Sequence, residues 1–280
     1  MGDRLHVETV EAAKQNPSFA KALTDLLFQL ADDDFILAYR GSEWLGLAPH
    51  IEEDVAFSSM SQDMMGHAVM FYDMLEQLGV GKADDLAQLR EARAFSNAIL
   101  VERKNGDGEY NDHPHYDWAY AIVRSYVYGL YKQVRLEALT QSSYTPLALV
   151  SRKMMTEHRY HLMHWQVWLK QLANSTADAR QRLEAAIAKV WKDAGELPQL
   201  GPNQVDIVQF GLIADEEQLK QKWLTLTKDI FENAGLDWPG EPGEPGVPQE
   251  RGRHGEHTAD LVQALATLSE VYRIDPAAGW

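Results

Sequence analysis

No cysteine occurs among the 280 residues of the chain. That absence removes disulfides, thiolate nucleophiles, Cys-ligated zinc and Cys-bound iron-sulfur clusters together. Positive charge is also short, with 26 Lys and Arg against 42 Asp and Glu for a net charge of −16. Such a chain repels a nucleic-acid backbone or an anionic bilayer on average, so the expected partner is a protein or a small molecule. No stretch approaches the roughly 20 apolar residues of a membrane span. The opening run MGDRLHVETVEAAKQ mixes charges with apolar residues and does not read as a secretory signal. The expectation is a soluble, cytoplasmic protein.

Hydrophobic residues make up 45% of the chain, enough for one large core and one domain over 1–280. Asn16-Pro17-Ser18 is a helix start, and Phe19, Leu23, Leu26, Leu30 and Leu37 continue at helical spacing toward Trp44 and Leu47, with Pro49 as the stop. A second helix is expected over about 51–78, ended by Gly79. Its stripe Phe57, Met60, Met64, His67, Phe71, Met74, Leu78 alternates gaps of three and four over about seven turns.

Shorter elements over 82–115 include the turn-like NGDGEYNDHP. A third long helix is expected over about 116–140 and a fourth from SSYTP to about residue 173, with the stripe Leu147, Val150, Met154, His158, His161, Trp165, Trp168, Leu172. Four long helices with short joins predict an all-α four-helix bundle over about 18–173. Additional helices are expected near 177–194, 215–232 and 256–272, with a Pro/Gly-rich surface loop, GLDWPGEPGEPGVPQERGRHG, between the last two. No strand of consequence is expected.

Two pieces of this pattern carry metal chemistry. Di-iron carboxylate bundles take an acid from each of two helices and a Glu-x-x-His pair from each of the other two, a spacing that aims carboxylate and imidazole at one point. Here the second helix has Met64-Met65-Gly66-His67 and the fourth has His158-Arg159-Tyr160-His161. Both histidines are present and both glutamates are absent.

GSEWLGLAP at 41–49, QDMMGHA at 62–68, FSNAILVE at 95–102, EHRYHL at 157–162 and the tail HGEHTADLVQAL ending in Gly279-Trp280 stand in a specific order and spacing. In these the chain resembles, over nearly its whole length, the non-catalytic ferritin-like subunits (PaaC) of the bacterial ring 1,2-phenylacetyl-CoA epoxidases, in the phenylacetic acid degradation protein family. The resemblance implies a ferritin-like bundle related to the epoxidase's catalytic subunit, so the ligand positions of that catalytic chain map across. Glu43 falls on the first-helix carboxylate, Met64 on a glutamate, His67 on its histidine, Tyr128 on the third-helix acid, His158 on the second glutamate and His161 on its histidine. Three positions are kept and three replaced.

A thioether and a neutral phenol do not supply the anionic oxygens that two irons need in a low-dielectric core. The implied role is therefore a structural subunit of a multicomponent monooxygenase, stabilising the catalytic subunit. No cofactor is expected in this chain, and the di-iron centre is expected in the partner. The expected assembly is a hetero-oligomer with that catalytic subunit, or a homodimer when alone, with no nucleic-acid or membrane partner. The alternative is an independent enzyme with one altered metal, held by His67, His158, His161 and Glu43.

A buried, metal-free Glu43 needs a cation, for which Arg40 is the candidate. Asp63 and Glu157, four residues before His67 and His161, are candidate polar partners of the imidazoles or of Arg40 and Arg124. Met60, Met64, Met65, Met70 and Met74 read as core filler. Tyr116, Trp118, Tyr120, Tyr126, Tyr128 and Tyr131 exceed what one buried stripe requires, so some are expected to face a partner. Asp32-Asp33-Asp34 reads as a solvated face or a polar rim against another subunit.

Overall fold

The computed structural model describes residues 5–110, 112–243 and 251–278. In chain order the helices are α1 (Val10–Lys14), α2 (Pro17–Ser42), α3 (Ile51–Leu78), α4 (Ala83–Gln88) and α5 (Ile99–Glu102), followed by strands β1 (Gly106–Glu109) and β2 (Asp112–Tyr116). Then come α6 (Trp118–Leu139), α7 (Thr145–Asn174), α8 (Ala177–Asp193), α9 (Gln204–Gln209), α10 (Glu216–Asn233), α11 (Ala259–Leu268) and α12 (Glu270–Ile274). The fold class is all-α, a ferritin-like bundle with additional C-terminal helices. Its residues group into two compact units, one built on α2 and α3 with the C-terminal segment, the other on α6, α7, α8 and α10.

In the first unit, α2 starts where the sequence places it. Asn16 accepts a hydrogen bond from Phe19 N at 3.2 Å, and Pro17 occupies the first helical position, where its missing N–H costs nothing. The helix ends at Ser42, seven residues before Pro49 and earlier than the hydrophobic spacing suggests. The reason is the next helix: Asp54 Oδ1 accepts from Gly46 N and Ala48 N, each at 3.1 Å, and holds a turn in which Gly46 has φ +79°. The helix α3 has the expected bounds, and Gly79 ends it in the left-handed conformation at φ +87°. The two run antiparallel, with Phe35 edge-on to Tyr72 at 5.9 Å and Trp44 on Phe57 at 6.3 Å.

The aspartate run of α2 is a correction to the sequence reading. Asp32, Asp33 and Asp34 are each 0% exposed, not a solvated face or rim. Asp32 accepts from Tyr72 Oη at 2.6 Å, from Ser96 N at 2.8 Å and from the guanidinium of Arg90. Asp33 accepts two bonds from Arg253, at 2.9 and 2.8 Å, and one from Ala98 N at 2.8 Å. Glu102, also sealed, takes His257 Nδ1 at 2.7 Å, Asn97 Nδ2 at 2.8 Å and Thr258 N at 2.7 Å. Within this unit the segment 251–260 is therefore pinned to α2 and α5 by buried charge, including Arg253 at 3% exposure.

In the second unit, α6 and α7 are antiparallel, with Trp118 edge-on to Trp168 at 5.2 Å. The Trp223 ring of α10 meets Trp191 of α8 at 5.7 Å and Tyr131 at 6.2 Å, and its Nε1 donates to Val127 O at 3.3 Å. The α6 aromatics are the second correction. Tyr120, Tyr126, Tyr128 and Tyr131 are all at most 2% exposed, so these four build this chain's own core instead of facing a partner, while Tyr116 and Trp118 are half-buried. The NGDGEYNDHP segment holds an antiparallel hairpin, β1 with β2, where no strand was expected.

The last expected helix is two, α11 and α12, divided at Ser269. In the Pro/Gly-rich loop Trp238 packs edge-on to Trp191 at 5.1 Å, which anchors its start. Residues 244–250 of that loop, and the tail pair Gly279-Trp280, lie outside the described residues.

Candidate functional site

The six metal-position residues fall three in each unit. In the first, Glu43 follows the last residue of α2 and is 9% exposed, while His67 on α3 is 1% exposed and Met64, one turn earlier, is half-buried. Arg40 Nη1 donates to Glu43 Oε1 at 3.0 Å, with the guanidinium itself buried. Its other nitrogens donate to Glu102 O and Asp260 O, both at 2.9 Å. The carboxylate that would face a metal thus faces a fixed cation. Asp63 is half-buried beside these residues in α3.

In the second unit, α7 brings His158 and His161 together, ring centroids 5.9 Å apart, and α6 places Tyr128. All three are buried. Tyr128 Oη accepts from Arg135 Nη2 at 2.8 Å, and the same guanidinium lies 5.7 Å from the Tyr128 ring centroid and 5.1 Å from that of Tyr131. His158 Nε2 is 2.7 Å from Gly129 O. A carbonyl only accepts, so Nε2 carries the proton, which leaves Nδ1 as a buried acceptor without a hydrogen-bond partner among the described residues.

Burial pushes the His158 pKa well below the usual imidazole value, and the positive charges of Lys132 and Arg135 push it the same way. It stays neutral through the physiological range. Glu157, one residue before His158, is half-buried.

The donor set does not fit a carboxylate-bridged iron pair. Its one carboxylate is paired with Arg40, its phenol accepts from Arg135, and His158 has committed Nε2–H to a backbone carbonyl. Lys132 and Arg135 add fixed positive charge beside His158, where a dication would need negative charge. Among the described residues no three or more His, Asp or Glu side chains are placed to hold a metal ion.

Sequence reasoning named Arg124 only as a candidate partner of Asp63 or Glu157, and it missed the buried cations Lys132 and Arg135 on α6. The signal was present: three basic residues, Arg124, Lys132 and Arg135, stand at intervals of eight and three in a helix that is otherwise mostly apolar and aromatic. It also missed the Asp33–Arg253 and Glu102–His257 pairs, whose members are more than 150 residues apart.

A sequence model of phenylacetic acid catabolic proteins matches residues 6–280. The chain belongs to the phenylacetic acid catabolic protein family. Within that family it is 31% identical over 259 residues to the C-subunit of the 1,2-phenylacetyl-CoA epoxidase of Escherichia coli (strain K12), spanning 92% of this chain and 99% of that protein. It is also 24% identical over 186 residues to the A-subunit of the same epoxidase, spanning 66% of this chain and 56% of that protein. Membership in the phenylacetic acid catabolic proteins gives the chain a role in phenylacetate catabolism. No helix among the described residues is long and apolar enough to cross a membrane.

Proposed function

We propose that this chain is a non-catalytic subunit of a multicomponent phenylacetyl-CoA 1,2-epoxidase and that its task is to stabilise a related di-iron catalytic partner of the A-type. The supporting observation is that the side chains at the metal positions are committed elsewhere: Glu43 to Arg40, Tyr128 to Arg135 and His158 to the Gly129 carbonyl. Similarity to the epoxidase's C-subunit over 99% of that protein's length supports the same reading. In it the iron, and the oxygen chemistry it supplies, belong to the partner. This chain contributes a rigid helical surface, without a cofactor, in the cytoplasm.

A second reading, one altered mononuclear metal site, has one observation in its favour: the unpartnered Nδ1 of His158 near His161. The charges of Lys132 and Arg135 oppose it. Co-expression with an A-type catalytic chain separates the two readings. The first expects one stable complex whose epoxidation rate is unchanged by His161→Gln in this chain. A complex that fails to form at low salt, or a rate that falls tenfold with that substitution, overturns it.

A further inference from the structure

The start of α7 is crossed by the N-terminal segment. Val7 N donates to Ser143 O at 2.8 Å and Thr145 N donates to Val7 O at 2.9 Å, a parallel bridge that sets His6 Nε2 3.3 Å from Thr145 Oγ1. Beside this bridge lies a cavity of about 370 Å³, within the roughly 300–1,000 Å³ of small-molecule sites. Its polar lining includes His6, Ser142, Ser143, Thr145 and Arg152, all in the unit built on α6, α7, α8 and α10. No Asp or Glu among the described residues lines it, in a chain of net charge −16.

Ser143 points to a ligand. It is 2% exposed, its N donates to Gly211 O at 2.9 Å and its O accepts from Val7 N, yet its Oγ has no hydrogen-bond partner among the described residues. A buried hydroxyl left unsatisfied costs stability, and a ligand oxygen in the cavity supplies the bond that the fold does not. Ser142 Oγ accepts from Tyr144 N at 3.3 Å, which leaves its proton to donate. Arg152 is held by one bond, Nη2 to Thr140 O at 3.1 Å, and pairs with no carboxylate among the described residues. The helix α7 adds the positive end of a 30-residue dipole, whose N-cap Tyr144 makes no side-chain capping bond.

We propose that this cavity binds a phosphate group, free or as the terminal phosphomonoester of a small molecule. A guanidinium, several hydroxyls and a helix N-terminus suit a tetrahedral anion, whose oxygens accept bonds from several directions, better than a planar carboxylate. Leu5 and Leu149, 44% and 56% exposed, give the organic part of an ester an apolar wall. No residue at the metal positions lines the cavity, so the site does not rest on the epoxidase reading.

Isothermal titration calorimetry of the full chain at low salt tests this with inorganic phosphate, adenosine monophosphate and acetate. Phosphate is expected to bind about tenfold or more tightly than acetate, and Arg152→Gln and Ser143→Ala each to weaken it by about tenfold. Arg159→Gln, an exposed arginine farther along α7, should change it by less than about twofold. Tighter binding of adenosine monophosphate than of phosphate assigns the site to an ester, and equal or weaker binding assigns it to the free ion. Ser143→Ala gives a second readout, because losing an unsatisfied hydroxyl should raise Tm without phosphate while shrinking the rise that phosphate produces. Circular dichroism reports whether each variant is folded. A folded parent that binds neither phosphate compound at about ten millimolar overturns the proposal, as does acetate binding as tight as phosphate, or phosphate binding that a folded Arg152→Gln chain retains in full.

Discussion

Asp33 and Arg253 are both sealed from solvent, and each guanidinium-to-carboxylate bond is shorter than 3 Å. Removing one member of such a pair leaves an uncompensated buried charge, which costs about 3–5 kcal/mol. Asp33→Ala should therefore lower the urea unfolding free energy by roughly that amount, and a loss below about 1 kcal/mol would mean that Arg253 finds water or another acceptor. His257 makes a related but titratable contact. Burial alone would lower its pKa, but the hydrogen bond and charge of Glu102 outweigh burial and raise it above the usual 6.5. A raised folded-state pKa means that protonation stabilises the fold. The contribution is complete below about pH 6.5 and is lost as pH rises through the raised value. The stability difference between the parent and His257→Gln should shrink over that window, and a difference that grows with pH would contradict the assignment.

At the scale of elements, two glycines in the first helical pair should respond with opposite sign. A Cβ on Gly41 of α2 would lie 2.8 Å from Phe57 Cε1 and closer still to Ser61 Oγ on α3, so Gly41→Ala forces the helices apart and should cost about 1–3 kcal/mol. A Cβ on Gly66 of α3 meets nothing within 4 Å, so Gly66→Ala should add about 0.5–1 kcal/mol of stability through helix propensity. Thermal melts of the two variants check both signs. The long helices were legible from their stripes because three-four periodicity needs only local sequence, and α3 runs from Ile51 to Leu78 as that stripe implies.

The end of α2 was not legible in the same way, because it is set by Asp54 reaching back from α3. Asp32 and Asp33 read as solvated for a similar reason. Their partners Arg90, Ser96, Ala98 and Arg253 stand 58 to 220 residues away, beyond any periodic signal. The candidate site was legible as residue types at one-turn spacing on α3 and α7. The cations Arg135 and Lys132 beside His158 became visible only in three dimensions.

At the scale of the whole molecule, an anionic, cysteine-free helical protein keeps the histidines of a metal bundle and sets buried arginines against its remaining carboxylate and its phenol. In the proposed role such a chain would support chemistry by what it holds in place, and its contribution is to be read on the assembly. Iron in the co-purified complex with an A-type catalytic partner is the most direct measurement. Two irons per catalytic partner are expected and none assignable to this chain, the total unchanged when His67 and His161 are both replaced by Gln. A fall in stoichiometric iron or zinc on that double substitution, with the complex still assembled, would contradict it.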